Sequence, residues 1–287
     1  IVGRRCLLDG PALMGFGQSY DTVLISEDRE DEGPVLAEFS LADGSEVVQH
    51  DNSSLLGSVR DGQGLLVGLS RQGLTQSYSL FDEGLQANWD KLQRGLAGSQ
   101  LYLSDADDDL SVLLFRAEGA GDPGSVYLFD AERQSVNLIG REYPNLAPTD
   151  VSQVSVVRYA AADGRELIGY LTTPNGREAR NLPLIVLPHG GPAARDYTGF
   201  DYKAQALASR GYVVFQPQFR GSDGFGMDLL EAGYGEWGRK MQSDLSDGVR
   251  YLAEVGVIDP ARVCIVGSSY GGYAALAGMT LDKGVYR

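Results

Sequence analysis

Four apolar residues, Val263, Cys264, Ile265 and Val266, run without a break into Gly267-Ser268-Ser269-Tyr270-Gly271-Gly272-Tyr273 and on into Ala274-Ala275-Leu276. No other stretch limits the fold so tightly. The apolar run reads as a buried strand and the alanine-rich text as the start of a helix, so strand and helix meet with no loop between them. In so sharp a turn a side chain at 267 or 271 would strike neighbouring backbone, which gives both glycines a steric task. The serine between them is thrust out at the strand's carboxyl end, and the first helix amides after it supply partial positive charge there. Ser268 is the rival reading. Centring the Gly-x-Ser-x-Gly pattern on it would need glycine at 266, which is Val266, so the register selects Ser269.

The text upstream has matching grammar. Residues 151–159 and 166–172 read as a hairpin around Asp163-Gly164, and 184–187 as a buried strand. A helix follows over 200–210, ending at Gly211, then a strand over 212–216, a helix over 241–255 and the strand at 263–266. Alternating strand and helix predicts a mostly parallel sheet with helices on both faces.

From residue 1 to about 150 the grammar differs: short alternating apolar runs are punctuated by Gly, Asp and Asn, with hardly any helical period. Three stretches resemble one another, around Phe39 with Asp43, Tyr78 with Asp82 and Tyr127 with Asp130. The aromatics recur at intervals of 39 and 49 residues, close to the roughly 40–50 residues of one propeller blade. The expectation is an all-β region forming part of a β-propeller, with about three to four four-stranded blades. A sandwich of similar hairpins is the alternative.

A second motif, Pro188-His189-Gly190-Gly191-Pro192, stands directly after the 184–187 strand. It resembles the His-Gly-Gly loops of esterases, which offer a backbone N–H to an oxyanion. Gly191 is the expected donor, with the Tyr270 N–H as the second. His189 is expected to orient the loop by hydrogen bonding and not to act as base, because in such folds the triad runs Ser, Asp, His along the chain.

With these blocks go Gly211-Tyr212-Val213-Val214, then Phe219-Arg220-Gly221-Ser222 with Gly224 and Gly226, Gly235-Glu236-Trp237-Gly238 with Asp244, and Asp259-Pro260-Ala261-Arg262. In this order and spacing they resemble the prolyl oligopeptidase family of serine peptidases, in particular its acylaminoacyl-peptidase and dipeptidyl-peptidase branch. The resemblance covers roughly 150–287. It implies an α/β-hydrolase domain from 151 to 287, preceded over 1–150 by part of the family's propeller. It also implies Ser269 as nucleophile and the Tyr270 and Gly191 amides as oxyanion hole. Arg220, Gly221 and Ser222 correspond to a loop beside the active site. Trp237 corresponds to a core filler and Asp244 to an anchor. Two residues depart from the pattern: Gln218 stands where Asn is common, and Phe225 where Tyr is frequent.

The triad is incomplete within these residues. Both histidines, His50 and His189, precede Ser269, and Asp282, the one acidic residue after it, reads as a surface turn residue. The chain therefore reads as a peptidase piece truncated after the nucleophile helix, with its Asp and His elsewhere, and inactive by itself. The expected substrates are short peptides cleaved near the amino terminus. A carboxylesterase or lipase of the same fold, and an inert propeller-hydrolase binding protein, are the competing readings.

Composition removes other classes. A formal charge of -15, from 39 acidic against 24 basic residues, opposes nucleic acid and anionic membranes as partners. No apolar run approaches the roughly 18 residues a membrane helix needs. Asp105, Asp107, Asp108 and Asp109 read as solvated turn carboxylates, so no metal is expected, and the chemistry calls for no cofactor. Cys6 and Cys264 suit neither a disulfide framework nor a metal site, and Cys264 reads as a buried strand residue. The chain opens on Ile1 with no leader ahead of its first strand-like text, so it reads as an internal piece. The expected compartment is cytoplasmic, with periplasm or secretion open and the oligomeric state unassigned.

Overall fold

The computed structural model describes residues 11–29, 33–51, 54–119 and 121–287; Cys6 lies outside them. Two compact units divide the chain. One holds residues up to Ala117 with Ser125–Arg141, the other Glu118–Gly124 with Glu142–Arg287.

In the first unit β1 (Ala12–Phe16), β2 (Thr22–Arg29), β3 (Gly33–Ser40) and β4 (Glu46–His50) form an antiparallel meander. A second meander follows: β5 (Leu55–Arg60), β6 (Leu66–Gln72) and β7 (Gln76–Leu80). After helix α1 (Glu83–Gly95) comes a four-stranded sheet of β8 (Ser99–Ala106), β9 (Val112–Gly119), β10 (Asp122–Asp130) and β11 (Ser135–Arg141), in sequence order. The three aromatics of the sequence repeat fall on equivalent strands: Phe39 on β3, Tyr78 on β7 and Tyr127 on β10, each the third of its sheet.

Helix α1 corrects the expectation that this half has hardly any helical period. Its apolar spacing was there to be read: Leu85, Trp89 and Leu92 lie on one buried face. Asp82, taken only as a turn residue, accepts the Leu85 N–H at 2.8 Å and caps the helix. That face packs into a core with Leu101, Leu113, Phe115 and Phe129, where Trp89 lies edge-on to Tyr78.

The second unit is built on a five-stranded sheet. β12 (Gln153–Ala160) and β13 (Glu166–Thr173) form the expected hairpin, and its Asp163-Gly164 turn puts Gly164 at φ +84°. β14 (Leu182–Val186) leads to α2 (Tyr202–Ala208) and β15 (Val213–Gln218). Then come α3 (Met227–Glu231), α4 (Lys240–Glu254), β16 (Ile258–Ile265) and α5 (Tyr270–Leu281). The strand order is β12-β13-β15-β14-β16. β15, β14 and β16 pair in parallel, and the hairpin joins this parallel part antiparallel through β13 and β15.

Strand alternation decides what each face of this sheet meets. Val213 and Phe215 of β15 pack with Met241, Leu245 and Val249 of α4, in a core that also holds Val263, Ile265 and Ala274. Val214 points the other way, against Ala204 and Leu207 of α2 and Leu187. Helices therefore cover both faces. Burying each of these aliphatic side chains contributes roughly 1.5–3 kcal/mol.

The same alternation overturns the reading of Cys264 as buried. β16 turns Val263 and Ile265 toward the helical core, so Cys264 and Val266 face the other side, where both are exposed. Among the described residues no helix is long and apolar enough to cross a membrane.

Candidate active site

The 267–271 turn follows directly from backbone crowding. A Cβ on Gly267 would lie 2.3 Å from the Gly271 carbonyl carbon, and one on Gly271 would lie 2.2 Å from the Pro188 carbonyl oxygen. Only hydrogen fits at either place. Val266 N–H donates to Val186 O at 2.9 Å, which carries the parallel pairing up to the turn. Ser269 then takes φ +55° and ψ −123°, a conformation rare for a side-chain-bearing residue. Its side chain is exposed. The helix begins with Tyr273 N–H bonding Ser269 O at 3.1 Å, so the amides of Tyr270, Gly271 and Gly272 precede any intrahelical acceptor.

The His-Gly-Gly loop meets this turn. A Cβ on Gly190 would stand 3.4 Å from Ser269 Cβ and 3.8 Å from its Oγ, so a glycine at 190 keeps backbone close to the serine without filling the space over it. Gly191, at φ +115°, is in the region that favours glycine. Tyr270 is buried, its ring stacked on Phe219 at 5.3 Å. The residue after the serine thus fixes the turn with its side chain and presents its backbone N–H.

His189 is buried and committed. Its Nδ1 lies 2.7 Å from Gly190 O, which can only accept, so Nδ1 carries the hydrogen and Nε2 accepts from Ser222 Oγ at 2.9 Å. Its ring stacks on Phe219 at 4.5 Å, and burial pushes the imidazole down to about 4. It is neutral at pH 7 and has no nitrogen left for Ser269. His50, in the first unit, is paired at 2.9 Å with the buried Glu38.

Arg220, Gly221 and Ser222 are all buried, and the structure brings the group to the site through Ser222 alone, by its bond to His189. The Arg220 guanidinium grips Asp244 through Nε at 2.8 Å and Nη2 at 2.7 Å, and Asp163 through Nη1 at 2.9 Å. Its backbone N–H donates to Asp244 as well, at 3.0 Å. Asp244 is an anchor, as expected. Asp163, read from sequence only as a hairpin turn, is a second counter-ion, and the Arg220 guanidinium followed by Lys240 holds its carboxyl well below the usual range. Nothing local in the sequence signals a partner 57 residues away.

Two other expectations need correction. Trp237 is not core filler: it is 52% exposed and lies edge-on over Tyr270 at 4.9 Å, because the segment before α4 passes outside the core. Asp282 is not a free surface turn. It follows α5 as its C-cap and accepts from Ser246 Oγ at 2.7 Å and Gln242 Nε2 at 3.2 Å, fastening α5 to α4.

Among the described residues no group of three or more His, Cys, Asp or Glu side chains could hold a metal ion. Asp107 instead orders its own turn, accepting from Val112 N–H at 2.8 Å and Ser111 Oγ at 2.7 Å.

A mixed sheet whose parallel strands lead into a glycine-flanked serine, clad by helices on both faces and preceded in the chain by all-β meanders, has the architecture of an α/β-hydrolase that follows propeller-like sheets in sequence. Comparison with solved structures agrees. A puromycin-hydrolyzing peptidase of Mycobacterium tuberculosis superposes with a TM-score of 0.74 at 21% identity, over 96% of this chain and 44% of that one, a likeness of fold. Residues 198–287 match the model of the prolyl oligopeptidase family. Dipeptidyl aminopeptidase BIII of Pseudoxanthomonas mexicana is 34% identical over 221 residues, 74% of this chain and 32% of the relative. Dipeptidyl peptidase family member 6 of Caenorhabditis elegans is 34% identical over 193 residues, 60% of this chain and 26% of the relative. The chain belongs to the prolyl oligopeptidase family of serine peptidases. It spans a third or less of the length of these two relatives.

Proposed function

We propose that the protein containing this chain is a serine-type peptidase that hydrolyses short peptides near their amino terminus through an acyl-enzyme at Ser269. In this reading residues 1–150 are part of a β-propeller and 151–287 the amino-terminal part of the peptidase domain. The observation that carries it is the backbone of Ser269, at φ +55° between two glycines that cannot bear a Cβ. Such strain is kept where a side chain must be presented at one spot. That two relatives are named as dipeptidyl peptidases supports this reading.

Ser269 Oγ attacks the scissile carbonyl carbon as its proton passes to a base. Both histidines of this chain are engaged in other bonds, so the reading assigns that base to a His outside these 287 residues, oriented by an Asp also outside them. The N–H groups of Tyr270 and Gly191 stabilise the tetrahedral oxyanion, each donor of this kind contributing on the order of 10²–10³ in rate. Collapse expels the amine, which takes the proton from the His, and water then hydrolyses the ester. Arg220 and Ser222 support the loops and do not touch the peptide.

The test is fluorophosphonate labelling of the full-length protein, with turnover of an aminoacyl-anilide and a short-chain ester. Labelling and anilide hydrolysis that both vanish in Ser269→Ala are expected. Ester turnover without anilide turnover would sink the peptidase reading.

A further inference from the structure

We propose that Asp196 and Gln218 are positioning residues for the oxyanion loop, clamping residues 190–196 to the end of β15 so that Gly190, which lies against Ser269, and the adjoining Gly191 keep their places. The inference rests on the reading of Ser269 and Gly191 given above.

The loop leaving Pro192 has no strand or helix until α2, so side chains must hold it. Gln218, completely buried at the end of β15, does so in both directions. Its Oε1 accepts the Asp196 N–H at 3.1 Å, and its Nε2 donates to Asp196 Oδ2 at 3.3 Å. Asp223 N–H adds a bond to Ala194 O at 2.9 Å. The stretch between is folded tightly enough to transmit displacement. Ala194 N–H bonds Pro192 O at 2.7 Å, and a Cβ on Gly191 would lie 2.8 Å from Ala193 N and 3.1 Å from Ala194 Cβ. If Asp196 loosens, Ala194 and then Gly191 move with it.

Two residues back on the same face of β15, Gln216 repeats the arrangement, its Nε2 donating to Asp201 Oδ2 at 3.3 Å. Asp201 also caps α2, accepting from Lys203 and Ala204 N–H at 2.8 and 2.9 Å. Two carboxyl groups are therefore gathered at one strand end and served by neighbouring glutamine amides. The charged and titratable groups facing Asp196 are Arg195 on its own loop, Asp201 at the start of α2 and Tyr170 of β13. The Arg195 guanidinium donates to Gly224 O at 2.9 Å and Tyr170 OH at 3.2 Å and lies 4.0 Å over the Phe225 ring, so it bonds the loop to residues 224–225 as well.

Burial, with Asp201 adding to it, pushes the Asp196 carboxyl up to about 7. A carboxyl raised in the folded loop is held most firmly while protonated. The grip is full below the ordinary carboxylate range and is lost as pH rises through about 7. Ionisation places a second negative charge beside Asp201 where water is scarce. Asp196→Asn keeps the acceptor for Gln218 and cannot ionise.

The experiment measures kcat and KM of the full-length protein on an aminoacyl-anilide from pH 5 to 9, with a thermal melt for each variant. Asp196→Ala is expected to lower kcat about tenfold with KM little changed, the mark of a misplaced transition-state donor. Gln218→Met, close in length but unable to bond either atom of Asp196, should do the same and carries the test if Asp196→Ala fails to fold. Asp196→Asn should restore kcat at pH 6 and move the alkaline fall in kcat upward. Unchanged kcat in Asp196→Ala or Gln218→Met overturns the positioning role alone, and an Asp196→Asn profile superimposable on the parent overturns its pH dependence. Activity surviving Ser269→Ala overturns the nucleophile assignment and this inference with it.

Discussion

His189 Nε2 lies 2.9 Å from Ser222 Oγ, joining two loops that are 33 residues apart in the chain. The bond couples the loop that carries Gly190 and Gly191 to the buried Arg220 anchor, since Ser222 follows Arg220 by two residues. Ser222→Ala removes the hydrogen donated to that nitrogen and, among the described residues, leaves a buried acceptor unsatisfied. A loss of about 1–3 kcal/mol in urea unfolding is expected. A fall in kcat should accompany it, read on the full-length protein.

His189 also sets a pH dependence. Its folded value, about 4, lies below the ordinary 6.5, so the folded state takes up the proton less readily than the unfolded one. The stability it contributes is fully present above about 6.5 and is lost as pH falls toward about 4, by up to roughly 3 kcal/mol. Urea midpoints of the parent and His189→Asn between pH 4 and 7 check this: the parent should lose more stability over the interval.

Asp244 is the buried counter-ion of Arg220, with the Asp244 side chain at 0% and Arg220 at 4% exposure. Asp244→Ala strands a buried guanidinium with only Asp163 to meet it. About 3–5 kcal/mol should be lost, because removing one partner of a buried pair leaves an uncompensated charge. Asp163→Ala, at a partner 36% exposed, should cost much less. Equal losses in the two variants would contradict the arrangement.

Gly271→Ala puts a methyl group 2.2 Å from Pro188 O. Either α5 or the end of β14 must shift, which is expected to cost at least about 2 kcal/mol and to abolish fluorophosphonate labelling of Ser269. Gly272→Ala, whose Cβ would meet nothing closer than 3.4 Å, is the control and should keep both stability and labelling.

Local signals were enough to read much of this chain. The strand-to-helix junction at 263–276, the register that selects Ser269, the hairpin at Asp163-Gly164 and the third-strand aromatics all depend on spacing, steric exclusion and turn chemistry among neighbours. Helix α1 was legible too, in Asp82 and the Leu85-Trp89-Leu92 spacing, but strand-like text on either side masked it. Family-like blocks identified which loops would gather. They did not reveal how those loops are held.

What the tertiary structure alone decided are the long-range partnerships and the direction each side chain faces. Asp163 and Arg220 meet across 57 residues, Ser246 and Asp282 across 36, and Gln218 and Asp196 across 22. Whether Cys264 is buried depends on which sheet face a helix covers, and whether Trp237 fills a core depends on the path of the segment before α4. The physical reason is common to all of them. A backbone turn is fixed by sterics within a few residues, whereas a buried charge or amide finds its partner only once packed elements bring distant segments together, and one chain offers many chemically equal candidates until they do.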